Sequence, residues 1–380
     1  MVILYVAFEK IKDMVVFKKY IFLKISRIMQ GVNMRAAVIL GAGFSKNSGL
    51  PIQSEIPELL IENQEDSLFE AYISQVIQEF YEDVFDFFKG EVPPSLDDLL
   101  TCIDISTNSG HHLGIKYSPL HLRAIRRFII YKLFKILEDK YRYSEAVFNL
   151  VSRLLKSYSK VDFIVLNWDT VLEKYINNIS PSYSINYCNG GEYIRNVSSE
   201  KALEEIKIIK IHGSSNWLYC DNCRALFNDT FGDIPLIKKA GFKATDFELL
   251  GKSELDLRGF IDGEECLICG DQISSHIATF NFRKSFKENS FPQLWDKAEE
   301  ALTISDKWIF IGYSLPQADY EFKHLLKISE LKLMHRKKKK PDIDVVLLNS
   351  TATAEKYISF FGSKIVKIYN GGIYEYLKYV

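Results

Sequence analysis

The chain has 380 residues, 47% of them hydrophobic and 26% charged, with a net charge of −1. This is the composition of a soluble globular protein, long enough for one large domain with insertions or for two domains. The balanced charge removes any general electrostatic reason to expect direct nucleic-acid binding.

Residues 1–30 are rich in Ile, Val, Phe and Lys. No stretch of about 18 residues there is free of charge, so a membrane-spanning helix is not expected, and no small-residue cleavage site marks a signal peptide. Residues 1–33 therefore read as an N-terminal extension, either an oligomerisation segment or an over-called leader. Met34 stands just ahead of the first strand and would serve as a start as well as Met1. A cytoplasmic location is expected.

From Met34 to the C-terminus, short apolar runs recur at Ala36–Leu40, Asp162–Leu166, Ile206–Ile211, Lys307–Ile311, Ile343–Leu348 and Lys364–Ile368. They do not alternate and are separated by helical stretches, the pattern of strands in a parallel sheet covered on both faces. The expected fold is thus α/β, a Rossmann-like parallel sheet of about six strands. Two stretches break the alternation. Residues 55–158 carry helical spacing, as in Leu122, Ile125, Ile129 and Leu133, and form a helical insertion. Residues 217–275 hold two cysteine pairs and form a second, zinc-ribbon-like insertion.

Ligands of such sheets bind beyond the carboxyl ends of the strands, so the loops there carry the functional signal. The first reads Gly41-Ala42-Gly43-Phe44-Ser45. Its glycines permit a tight turn and bring N–H groups toward a phosphate at a helix start; a plain tight turn after a buried strand is the competing reading. A dehydrogenase would end a second strand in Asp or Glu some twenty residues on. This chain has instead the acidic helix start PIQSEIPELL, which argues against hydride transfer. Asn167-Trp168-Asp169-Thr170 can present one amide and one carboxylate to a ligand, or merely cap the next helix. A lone histidine after a strand is often a satisfied structural residue; followed by Gly213 and Ser214 at the mouth of a nucleotide cleft, His212 reads as a candidate general base, with an unperturbed pKa near ~6.5. His111, His112, His324 and His335 have no such setting.

Cys220-x2-Cys223 and Cys266-x2-Cys269 are two half-sites that four thiolates would close into a tetrahedral structural zinc site; buried free thiols are the alternative reading. The 42 residues between Cys223 and Cys266 (266 − 223 − 1) exceed the usual ribbon spacing. Cys102 and Cys188 read as ordinary core residues. The run Arg336–Lys340 reads as a solvated loop, or as a contact for a polyanion.

Taken in this order, the loops resemble the sirtuin, or SIR2, family. GAGFS followed by SGLP is similar to its cofactor-loop motif, Asn167-Trp168-Asp169 to its Asn-(Ile or Tyr)-Asp motif, and His212-Gly213 to its catalytic His-Gly. Gly312-Tyr313-Ser314 and Asn349-Ser350 resemble its ribose- and phosphate-binding loops. The likeness runs from about residue 35 to 375. The wording HGSSNWLYC, TFNF, LWDKAEEAL and IGYSLPQADY is closer still to the prokaryotic SIR2-like branch, which includes NAD-degrading effectors of anti-phage defence.

The resemblance implies cleavage of the nicotinamide–ribose bond of NAD. Asp169 would hold the carboxamide, Asn167 the ribose and attacking water, and His212 would be the base. Gly41, Ala42, Gly43 and Ser45 would hold the pyrophosphate, and Gly312, Ser314, Asn349 and Ser350 the adenosine half. Two departures weaken protein deacylation: Ile52-Gln53-Ser54 stands where deacylating members carry Asp-Phe-Arg, and His276–Phe280 lacks the Phe-Gly-Glu stretch of the acyl-lysine groove. The implied activity is NAD+ hydrolysis by a defence effector. It would carry a structural zinc, form a homo-oligomer and answer to a regulatory partner such as a helicase-like ATPase. Deacylation or ADP-ribosyl transfer is the alternative enzyme reading, and a non-catalytic NAD or ADP-ribose sensor the third.

Overall fold

Every residue of RAAVIL except the first is buried in β1 (Arg35–Leu40), although successive side chains point to opposite faces of a strand. The same holds for β2 (Lys160–Val165) and β10 (Lys307–Ile311), so the sheet they form is covered on both sides. The computed structural model describes residues 34–380 apart from 63–66, 89–90, 195–203, 230–231, 252–260, 262 and 278–289. The N-terminal extension and the stretch 279–282 lie outside the described residues.

The main sheet has seven strands in the order β12-β11-β10-β1-β2-β5-β3, every pair parallel. Here β3 is Tyr183–Asn186, β5 Glu204–Lys210, β11 Asp342–Val346 and β12 Val366–Tyr369. The sequence suggested about six. The seventh is β3, a four-residue edge strand of sequence YSIN, too short and too polar to stand out as an apolar run.

Among the described residues, six α-helices separate β1 from β2: the short Ala42–Lys46, then Ile56–Ile61, Leu68–Phe85, Leu96–Ser109, Pro119–Asp139 and Glu145–Ser157. Three begin at a serine whose hydroxyl accepts from an N–H of the first turn, Ser67 from Glu70, Ser95 from Asp98 and Ser118 from His121. Their apolar faces meet in a core of their own, around Phe80, Leu100, Phe128, Ile129 and Leu133.

A second sheet of five strands runs β4-β7-β6-β9-β8. Its members are β4 (Glu192–Tyr193), β6 (Gly213–Cys220), β7 (Leu226–Asn228), β8 (Glu264–Glu265) and β9 (Gln272–Ile277). Between the cysteine pairs, the helices Leu236–Lys239 and Ala244–Leu249 leave this sheet and join the helical core. Phe242 and Phe247 stack edge-on or tilted against Phe128 with centroids 5.3 Å away, and Arg127 clamps Asp246. The long interval between the cysteine pairs is spent on this contact.

The basic run ends the helix Tyr320–Lys337, where Lys337, Lys339 and Lys340 pair with Asp306, Asp342 and Glu330. It is a surface whose charge is largely matched locally. Among the described residues, no helix is long and apolar enough to cross a membrane.

Candidate active site

In a parallel sheet the loops that leave the carboxyl ends of the strands share one edge. Here those loops follow β1, β2, β5, β10 and β11 and carry Gly41, Asn167, His212, Gly312 and Asn349. The chain runs from β1 to β2 and β5 on one side, then to β10 and β11 on the other. The reversal on either side of β1 is where open α/β sheets form a ligand crevice.

The glycines at this reversal serve each other. Gly41 N–H donates to the Ile311 carbonyl (3.1 Å) and Gly43 N–H to that of Gly312 (2.9 Å). Gly312 has φ +63°, and a Cβ there would sit 2.1 Å from Phe44 N and 2.3 Å from Gly43 C. Two of the N–H groups expected to face a phosphate are thus turned into the β10 loop. The Gly-Ala-Gly run is needed first for a backbone interlock with the β10 loop.

Asn167, two residues beyond β2, donates through Nδ2 to Ser45 Oγ (3.0 Å) and to the Asp169 carboxylate. Since a carboxylate only accepts, the amide orientation is fixed by chemistry, and Oδ1 faces the other way. That oxygen is buried and has no hydrogen-bond partner among the described residues. Asp169 also accepts from Val171 N–H (3.0 Å), so it caps the following helix while it holds Asn167.

His212 is 2% exposed. Its Nδ1 lies 2.9 Å from the Leu166 carbonyl, which can only accept, so Nδ1 carries the proton and Nε2 the lone pair. Trp168 Nε1 binds the His212 carbonyl (2.9 Å) and Ser215 N–H the Trp168 carbonyl (2.8 Å), which locks the β2 and β5 loops together. Asp319, buried at the start of the helix Tyr320–Lys337, brings Oδ1 to 3.8 Å from His212 Nε2.

Behind these loops lies a buried polar chain that no motif announced. Lys210, fully buried at the end of β5, pairs with Glu173 at 3.0 Å and donates to the Asp169 carbonyl. Tyr187 bonds Glu173 (3.3 Å), Asn216 bonds Tyr187 (2.8 Å), and Ser214 bonds Asn216 (2.6 Å). A lysine closing the buried run IKIIK was the available signal, because a charge there needs a partner.

The remaining positions differ in access. Ser45 is buried against Asn167, whereas Ser314 and Asn349 are exposed at the crevice edge. Asn349 has φ +50° and its N–H donates to the Asn370 carbonyl. Ser350 N–H donates to Asn370 Oδ1 and its hydroxyl to Thr353.

The four cysteines converge. All four sulfurs lie within 4.8 Å of one another, with 3.5 Å from Cys220 to Cys269 and from Cys223 to Cys266. Tetrahedral zinc with bonds of about 2.3 Å needs sulfurs about 3.8 Å apart, so the set fits. The Asp271 N–H beside Cys269 draws its thiol down to about 7, while burial raises Cys220 and the neighbouring sulfurs hold Cys223 up, so Cys269 is the first of the set to ionise. Cys220 ends the strand that begins beside His212, up to about 23 Å away along β6. Four thiolates close the coordination shell, so zinc held there would be structural.

No family model matches the chain, and a search of curated proteins finds no match. Among solved structures, the chain is similar to a Sir2 bound to the inhibitor EX-527, 2′-O-acetyl-ADP-ribose and a deacetylated p53 peptide, with 14% identity, 90% of each chain covered and a TM-score of 0.41. It is similar to a complex described as Sir2–p53 peptide–NAD+, with 15% identity, 95% of each chain covered and a TM-score of 0.41. A structure addressing sirtuin substrate affinity gives 15% identity, coverage of 93% of this chain and 95% of that one, and a TM-score of 0.44.

Proposed function

We propose that the chain is a SIR2-type NAD+ glycohydrolase, which breaks the nicotinamide–ribose bond and passes the ADP-ribosyl group to water. The observation that carries this reading is a pair of acceptors at the switch-point crevice. One is the buried, unpartnered Oδ1 of Asn167; the other is the Nε2 lone pair of His212, fixed by the Leu166 carbonyl. Ribose hydroxyls and an attacking water are donors; a nucleotide in this crevice would bring the first and solvent the second.

In this reading the C1′–N bond breaks and nicotinamide leaves with the bonding pair, through an oxocarbenium-like ribose akin to that of glycoside hydrolysis. Asn167 Oδ1 orients the ribose and the water. The water oxygen bonds C1′ and its proton passes to His212 Nε2. Asp169 holds Asn167 and keeps lone pairs for the carboxamide N–H. Ala42 and Ser45 take the pyrophosphate side, and Gly312, Ser314, Asn349 and Ser350 the adenosine half. Zinc bound by Cys220, Cys223, Cys266 and Cys269 would hold the β6–β9 sheet together.

Deacylation is the competing outcome of the same chemistry, with an acyl-lysine oxygen in place of water. The absence of the Asp-Phe-Arg and Phe-Gly-Glu stretches from the sequence favours water. A sensor needs no base, so the fixed His212 tautomer favours turnover. We extend the proposal to a cellular role as an NAD-depleting anti-phage effector, oligomeric and held off by a partner until triggered.

The test is nicotinamide release from NAD with and without acylated peptide. Release without peptide supports hydrolysis, release only with peptide restores the deacylase, and tight binding without turnover supports the sensor.

A further inference from the structure

Asp319 stands at the N-cap of the helix Tyr320–Lys337, a position where Asp ordinarily accepts from the first-turn N–H groups. Its carboxylate makes no such bond. Instead Oδ2 accepts from the buried Tyr313 hydroxyl at 2.8 Å, and Oδ1 lies 3.8 Å from His212 Nε2. Tyr313 is itself fixed by an edge-on contact with Phe322 and by its carbonyl, which accepts from Tyr357. The loop after β10 therefore reaches across β1 and β2 to place a carboxylate beside a residue of the β5 loop. Asp319 and His212 are 6% and 2% exposed, so little water screens the pair.

We propose that Asp319 is the positioning residue for His212: it sets the ring against the crevice and stabilises the imidazolium formed when Nε2 takes the proton of the attacking water, with Tyr313 holding the carboxylate in place. This rests on His212 being the base of the proposed hydrolase. The ring is then held at Nδ1 by a carbonyl that sets the tautomer, while Nε2 faces a charge that favours the protonated product. A lone carbonyl would supply the tautomer only.

The experiment is a double-mutant cycle on NAD cleavage with Asp319→Asn and His212→Ala. Asparagine keeps an oxygen for the Tyr313 hydroxyl and removes the charge, so the unfolding midpoint should not move. For Asp319→Asn we expect kcat to fall at least about tenfold, as when the carboxylate of a His–Asp pair is made neutral, with KM for NAD within about twofold. The double variant should be no slower than His212→Ala alone, because the carboxylate acts through the ring. Additive losses, or a KM effect without a kcat effect, would overturn the assignment in favour of direct substrate contact.

A second readout does not depend on turnover. In protein with 13C-labelled histidine rings, the His212 signal, identified by its loss in His212→Ala, is followed against pH. The other ionisable groups on the elements around it keep their own partners: Asp169 with Asn167 and Val171, Lys210 with Glu173, and Tyr313 with Asp319. Removing the Asp319 charge destabilises the imidazolium, so the midpoint in Asp319→Asn should fall by at least about half a pH unit. An unchanged midpoint overturns the pairing. If the wild-type protein releases no nicotinamide, the hydrolase reading fails, and this titration still decides whether the pair exists.

Discussion

Gly312→Ala puts the β1–β10 interlock under direct load. A left-handed φ of +63° costs an L-residue about 1–2 kcal/mol by itself. The added Cβ would lie 2.1 Å from Phe44 N, 2.3 Å from Gly43 C and 2.6 Å from Gly43 Cα, all backbone atoms. Ordinary contacts need about 3.5–4.0 Å, so one loop must retreat by more than about 1 Å. That retreat breaks the bonds from Gly43 N–H to Gly312 and from Gly41 N–H to Ile311, each costing about 1–3 kcal/mol if left unmade. The expected loss is on the order of 3–8 kcal/mol. Gly110→Ala is the control, since Gly110 has φ +70° and nothing within 4 Å of its added Cβ. It should lose only the backbone cost of about 1–2 kcal/mol. Urea unfolding of both variants reads the difference. Equal losses would refute the interlock as the reason for these glycines.

Lys210→Ala strands the buried Glu173 and Asp169 carbonyl, and should cost about 3–5 kcal/mol by chemical denaturation; a loss below about 1 kcal/mol would mean water reaches the pair. Trp168→Phe removes the Nε1–H bond to the His212 carbonyl. It should cost about 1–2 kcal/mol and slow nicotinamide release, because the base is held from that carbonyl's residue. Cys223→Ser should lower bound zinc below one per chain and reduce folding yield, measured by metal analysis and soluble recovery; full zinc with normal yield would remove the structural site.

The strands and the order of their loops were legible because a buried parallel strand must be an apolar run, and the turn after it must be small or polar. RAAVIL into Gly41 and KWIFI into Gly312 show both signals at once. The edge strand YSIN carries neither. The second sheet escaped because β6 pairs with β9 over some fifty residues, and its strands of two and three residues leave no pattern. Asp319 was hidden differently. In sequence it is an acid just ahead of a helix, which reads as a cap; only the three-dimensional path of the β10 loop turns its carboxylate toward His212. Asp169 shows the converse: one carboxylate oxygen accepts from the start of the next helix and the other from Asn167, so the capping reading does not exclude the site reading.

The central claim is that water takes the ADP-ribosyl group under the control of His212 and Asn167. The most direct measurement is NAD turnover in 18O-labelled water without acylated peptide, with nicotinamide and ADP-ribose quantified by mass spectrometry. The account predicts equal amounts of the two products, one 18O at the ribose anomeric carbon, and a loss of roughly 10²–10⁴-fold in rate for His212→Ala. Nicotinamide release that requires an acyl-lysine peptide, or an unchanged rate in His212→Ala, would contradict it.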